Sequence, residues 1–223
     1  KGLEGALAAR ADEVLVFAAA SEAFSQRNLN CSIDESMARF EPVVQGAKAA
    51  GLRVRGAISC AVGCPYQGDV SPDEVERVVK AYRALGVDQV SMADTIGVGT
   101  PRQVQAALER VLRHYPLHEV CGHYHDTYGQ ALANVLASLQ MGVRVFDTSV
   151  AGLGGCPFAV GATGNVATED VAYLLRGMDI DTGVDFDALV DAGQFISEKL
   201  GRANGSRAAR GWLAQRARRQ AQA

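Results

Sequence analysis

Val54-Arg55-Gly56-Ala57-Ile58-Ser59 reads as a short β-branched strand, and Ser71-Pro72-Asp73-Glu74 beyond it reads as a helix start with proline at the first helical position. From that start Val75, Val78, Val79, Tyr82 and Leu85 form one apolar stripe at helical spacing, Gly86 stops it, and Val87–Met92 is a second β-branched run. A strand that returns through a helix to another strand is parallel to it, because only a long crossover brings the chain back in the same direction. This unit decides the fold class, which is α/β.

The same unit repeats outward in both directions. Val14–Ala18 precedes a helix whose start, Ser32-Ile33-Asp34-Glu35, is a capping box, whose stripe is Met37, Phe40 and Val44, and whose end is Gly51. Val120–His123 and Val145–Val150 are further strand runs. The stripes Val104, Leu108, Val111, Leu112 and Leu132, Val135, Leu136, Leu139 supply the helices before and between them. Two architectures compete, a (β/α)8 TIM-type barrel and an open doubly wound sheet. The open nucleotide-binding sheet would show G-x-G-x-x-G after its first strand, and none follows Val14–Ala18. Polar chemistry instead follows several strand ends, at Ser21-Glu22, Ser59-Cys60, Asp94-Thr95, His123-Tyr124-His125-Asp126 and Ser149, as barrels assemble their sites. The barrel is the expected architecture.

Composition narrows the function. The 223 residues carry a net charge of −3, so no nucleic-acid partner is indicated, and no apolar run is long enough for a membrane span. Five cysteines argue against a disulfide framework and for a reducing compartment. Cys60 and Cys64 lack the second pair that a zinc knuckle needs. From Lys199 onward there are seven basic residues and no acid, a tail suited either to cofactor phosphates or to a solvated helix.

His123 and His125 stand one residue apart at a strand end, so both imidazoles face the same side and can converge on one metal ion while Tyr124 turns away. Asp126 can orient them or cap the following helix. Ser149–Phe158 places Cys156 among glycines on a loop able to approach a ligand, where a thiol can transfer a proton or attack. Asn165 offers a neutral oxygen to a hard cation, and Glu169 lies in the first turn of the next helix.

These residues carry a resemblance. Ser149–Phe158 is similar to the signature of the 3-hydroxy-3-methylglutaryl-CoA lyase family, and so are Asn28-Leu29-Asn30-Cys31-Ser32, Ser59–Tyr66, Asp94–Pro101 and His125–Gln130, in the same order. The resemblance implies a metal-dependent barrel that cleaves a 3-hydroxyacyl-CoA to acetyl-CoA and acetoacetate. It implies His123, His125 and Asn165 as ligands to Mg²⁺ or Mn²⁺ and Cys156 as the catalytic thiol, with His123 also at the reacting centre. Asp94, Glu169 and Asp126 are expected to support the site, with capping as the competing role. The expected partner is an acyl-CoA thioester, the expected setting a bacterial-type cytoplasm, and a homodimer is compatible with it. A related metal aldolase or acyl-CoA condensing enzyme is the alternative, as is a non-catalytic fragment.

Two departures stand out. Position 158 is phenylalanine where the family has tyrosine, and the family's early arginine-aspartate motif, with its metal-ligating aspartate, is absent from the chain. Residues 1–198 are therefore expected to be a partial barrel, about the last five β/α units, and 199–223 a basic helical tail. By itself the chain is expected to turn over negligibly, and strands flanking the gap to be exposed edges.

Overall fold

The structure is a computed structural model that describes residues 1–155 and 164–222. In chain order the elements are α1 (Gly2–Ala8), β1 (Glu13–Ala19), α2 (Glu22–Leu29), α3 (Ile33–Ala49), β2 (Arg53–Ser59), a short antiparallel pair β3 (Gly63–Cys64) and β4 (Gly68–Asp69), α4 (Pro72–Leu85), β5 (Gln89–Asp94), α5 (Pro101–Val111), β6 (Val120–Tyr124), α6 (Ala131–Gln140), β7 (Val145–Asp147), α7 (Thr168–Gly177), α8 (Phe186–Lys199) and α9 (Arg207–Gln220). The five long-crossover strands form one parallel sheet in the order β1-β2-β5-β6-β7.

The helix starts are those the sequence spells. Ser32 and Ser71 both close capping boxes, with Glu35 and Glu74 reaching back to the cap N–H at 2.7 Å, and Gly86 ends α4 in the left-handed conformation. Helices α3, α4, α5, α6 and α7 pack each against the next along one face of the sheet. Helices confined to one face are the barrel arrangement; a doubly wound sheet carries them on both. Val75, Val78, Val79 and Tyr82 of α4, Val104 and Leu108 of α5 and Val135 of α6 are buried against Val54, Ile58, Val90 and Met92. Gly56 lets the ring of Tyr82 lie on the sheet: a Cβ there would stand 2.6 Å from it. The Tyr82 hydroxyl accepts the Ala18 N–H at 2.7 Å and donates to the Ala57 carbonyl at 2.8 Å, which ties β1 to β2.

The other face carries a row of polar and charged side chains. Because side chains alternate along a strand, Glu13, Arg55, Ser91, His123 and Asp147 share it. On β1 the exposed Leu15 and Phe17 occupy it too, and β1 is an edge strand among the described residues, as expected.

The last strand is shorter than Val145–Val150. It ends at Asp147, and Val150–Gly152 coils into a 3₁₀ turn in which Ala151 takes a φ of 57°. Ser149 instead pairs in parallel with Ala167, and the Val166 N–H donates to the Tyr124 carbonyl at 2.9 Å. A further extended stretch thus lies beside β6 and β7 beyond the five strands read from the sequence. Both α8 and α9 are ordered helices, and α9 is docked: Phe186, Val190 and Ala209 form a small second core, with Trp212 edge-on to Phe186 at 5.1 Å.

Candidate metal centre

Strand β6 delivers the histidine pair to the C-terminal end of the sheet. Tyr124 points the opposite way, fully buried, with its hydroxyl 2.7 Å from Ser138 Oγ on α6. The two imidazoles face one another with centroids 5.5 Å apart and planes tilted by 37°. His125 is buried and His123 half-buried.

Asn165 reaches the pair from a later segment of the chain. An antiparallel bridge sets it opposite His125, and the Asp126 N–H donates to the Gly164 carbonyl at 3.2 Å. Its amide is oriented by a bond from Nδ2 to the Leu153 carbonyl at 3.1 Å. That leaves Oδ1 buried and, among the described residues, without a hydrogen-bond partner. A buried acceptor left unsatisfied costs about 1–3 kcal/mol, so an oxygen aimed this way fits a cation ligand. Two imidazoles and an amide oxygen are a donor set that fits a divalent cation. Among the described residues no three His, Cys, Asp or Glu side chains gather into a metal cluster. Cys156 and Phe158 lie outside the described residues.

The three acidic residues expected to support the site each accept backbone N–H groups, Asp94 and Asp126 in their own segments and Glu169 from another. Asp94 is fully buried, and its two carboxylate oxygens accept the Val98 N–H at 3.1 Å and the Gly99 N–H at 2.9 Å, closing the turn before α5. Burial pushes its pKa up to about 6, against the pull of those N–H groups and of His123. Asp126 caps α6, accepting the Ala131 N–H at 3.0 Å. Glu169 is fully buried at the start of α7, and both of its oxygens accept the Ala151 N–H at 3.0 Å. Burial raises its pKa, and Asp170 beside it adds to the rise. Glu169 therefore fixes the left-handed residue from which the glycine-rich loop departs.

Sequence reading missed Asp147. It lies opposite His123 in the register of β6 and β7, with Oδ2 3.2 Å from His123 Nδ1. The Ser91 hydroxyl donates to the same oxygen at 3.0 Å, and Arg55 Nη1 donates to Oδ1 at 3.0 Å. Arg55 in turn pairs with Glu13 at 3.0 Å. Burial would raise the Asp147 pKa, but His123 and Arg55 overcome it and hold the carboxyl at about 2. Every strand of the sheet contributes one member of this chain of polar groups. Alternation along the strands was the available signal, since Arg55, Ser91, His123 and Asp147 all fall on the non-helix face.

Beside Asn165 lies a polar cavity of about 780 Å³ lined in part by Asp126, Gly154, Arg202, Arg207 and Arg210. Asp170 fastens the start of α9 at its rim, accepting the Ser206 hydroxyl at 2.6 Å and the Ala208 N–H at 2.7 Å.

Known proteins share this sequence and this fold. A family model described as HMGL-like matches residues 1–196. The chain is 59% identical over 214 residues to the 3-hydroxy-3-isohexenylglutaryl-CoA/hydroxy-methylglutaryl-CoA lyase of Pseudomonas aeruginosa, covering 96% of this chain and 71% of that one. It is 52% identical over 209 residues to the human mitochondrial hydroxymethylglutaryl-CoA lyase, of which it spans 64%. The crystal structure of hydroxymethylglutaryl-CoA lyase from Pseudomonas aeruginosa superposes with a TM-score of 0.92 at 58% identity, over 96% of this chain and 71% of that one. An HMG-CoA lyase from Acinetobacter baumannii, solved with coenzyme A and 3-methylmalate, superposes with a TM-score of 0.89 at 34% identity, over 94% and 68% of the two chains.

Proposed function

Because the chain belongs to the HMGL-like family of carbon-carbon lyases, we propose that its protein cleaves 3-hydroxy-3-methylglutaryl-CoA, or a close branched 3-hydroxyacyl-CoA, to acetyl-CoA and a 3-oxoacid, acetoacetate in the first case. The single observation that carries the reading is the buried Oδ1 of Asn165, without a hydrogen-bond partner among the described residues, on the segment bridged to His125. His123, His125 and Asn165 are the residues that would hold Mg²⁺ or Mn²⁺. A divalent cation bound there supplies Lewis acidity, lowering the pKa of the substrate's tertiary hydroxyl.

The non-helix face presents the imidazoles at the strand ends, where the acyl group enters. Loss of the hydroxyl proton to a base sends its electron pair into a new carbonyl, and the adjacent C–C bond breaks toward the thioester carbon. The thioester enolate released in that step takes a proton, which the thiol of Cys156, standing among glycines in the sequence, would give. A cytoplasmic setting accords with Cys31, Cys60, Cys64 and Cys121 standing outside any disulfide among the described residues.

The test is an assay of acetyl-CoA release, the product common to both substrates, on the whole protein, with 3-hydroxy-3-isohexenylglutaryl-CoA offered as a second substrate because the Pseudomonas aeruginosa relative carries both names. His123→Ala and Cys156→Ala are expected to lose at least about 100-fold in kcat, the scale of a lost acid–base group. Full turnover in excess chelator, or in Cys156→Ala, would overturn the mechanism.

A further inference from the structure

We propose that Asp147 is a positioning residue that fixes His123 as its Nδ1–H tautomer and so turns Nε2, with its lone pair, toward the site. The inference rests on the reading of His123 as a metal ligand and adds a function for a residue outside the ligand set.

The geometry leaves one arrangement of protons. A carboxylate bonded to a guanidinium can only accept hydrogen bonds. Asp147 accepts from Arg55 at Oδ1 and from Ser91 at Oδ2, and His123 Nδ1 lies 3.2 Å from that second oxygen. Nδ1 must therefore carry the hydrogen. In a neutral imidazole the other nitrogen then has the lone pair, which is the form a metal requires. Free histidine favours the opposite tautomer, so the preference has to be imposed.

The carboxylate is itself held from two further strands. Arg55 sits between Glu13 on β1 and Asp147 on β7, 3.0 Å from each. Ser91 on β5 fills the remaining acceptor position of Oδ2. Rotation of Asp147 would break the Arg55 and Ser91 bonds together, so the imidazole is oriented by atoms that belong to the sheet and not to a loop.

Asp147→Asn separates this role from a merely structural one. Its amide has nearly the same shape, but its carbonyl oxygen is drawn to Arg55, which cannot accept. The NH₂ then faces His123 Nδ1 and forces that nitrogen to be the acceptor. The experiment records ¹⁵N–¹H long-range correlation spectra of ¹⁵N-histidine-labelled, metal-free protein, about 2 pH units above the usual imidazole pKa of about 6.5, and titrates Mn²⁺ in parallel. Wild type is expected to show His123 protonated at Nδ1, and Asp147→Asn to show it protonated at Nε2 with Mn²⁺ affinity weakened about 10- to 100-fold. An Nε2–H tautomer in wild type overturns the proposal without any variant. So does an Asp147→Asn protein in which tautomer and Mn²⁺ affinity are both unchanged. A wild-type protein with the Nδ1–H tautomer that binds no Mn²⁺ refutes the metal reading and leaves the Asp147 assignment standing.

Discussion

Gly193→Ala should destabilise the protein, although it places a better helix former in the interior of α8. Alanine is favoured over glycine there by about 1 kcal/mol from propensity alone. The new Cβ, however, would overlap Glu169 Oε1 and stand 3.1 Å from Asn204 Nδ2. Glu169 is fully buried, so its carboxylate has no open space to move into. Forcing one carbon into such a site costs about 1–3 kcal/mol. Displacing the carboxylate also strips the Ala151 N–H of its acceptor, about 1–3 kcal/mol more. After the propensity gain the net is about 3 kcal/mol of destabilisation. For a chain of this length that is a fall of about 6–12 °C in Tm. Gly211→Ala in α9 is the matched control, because nothing lies within 4 Å of its Cβ position. It should gain about 0.5–1 kcal/mol. Urea unfolding followed by circular dichroism, with equal m-values required, measures both. A Gly193→Ala protein as stable as Gly211→Ala would refute the reasoning that Glu169 is locked against α8.

Three further outcomes follow from the same geometry. Asp94, with its pKa near 6, keeps its proton when folded at pH values where the unfolded chain, near 3.9, has lost it. Its contribution to stability is therefore present below about pH 4 and lost as pH rises to about 6, and a ¹³C carboxyl titration with an ordinary midpoint near 4 would contradict it. Cys121, buried and close to Asp147, has its thiol pushed up to about 12, so at pH 8 it should resist iodoacetamide at least about 1,000-fold more than a free thiol; rapid labelling of the folded protein would count against this. Gly154→Ala places a side chain at a φ of +95° and 2.5 Å from Asn165 Nδ2. It should displace that amide and weaken Mn²⁺ binding with little effect on the sheet, and unchanged affinity by isothermal titration would show that the amide is not so confined.

Much of the fold is legible because its punctuation is local. Ser32, Ser71 and Gly86 announce α3 and α4 through residues three or four positions away, and the structure uses each as written. Where α9 goes is not legible, because its anchors Asp170, Asp187 and Asp191 belong to α7 and α8 and only the folded chain brings them to Ser206, Trp212 and Arg216. The histidine pair could be read from one strand's alternation, and Asn165 was read from its neutral amide oxygen, with the ligand role implied by the family resemblance. Asp147 escaped for the reason α9 did: its partners Arg55 and Ser91 are 92 and 56 positions away, and no short pattern joins them. The end of β7 was misread because Val150 looks like strand, whereas the Glu169 carboxylate holds Ala151 in a turn.

Strand β7 is only three residues long, too short for packing alone to fix its alignment. A slip of one position would rotate Asp147 to the helix side of the sheet and leave Arg55, Ser91 and His123 without their shared acceptor. The carboxylate thus proofreads the strand. On the proposed role of His123, a sheet that closes out of step would also fail to present its imidazole, so faithful assembly and chemical competence would be decided in a single event. Selection on turnover would then guard the folding pathway, at a position that need never touch the substrate.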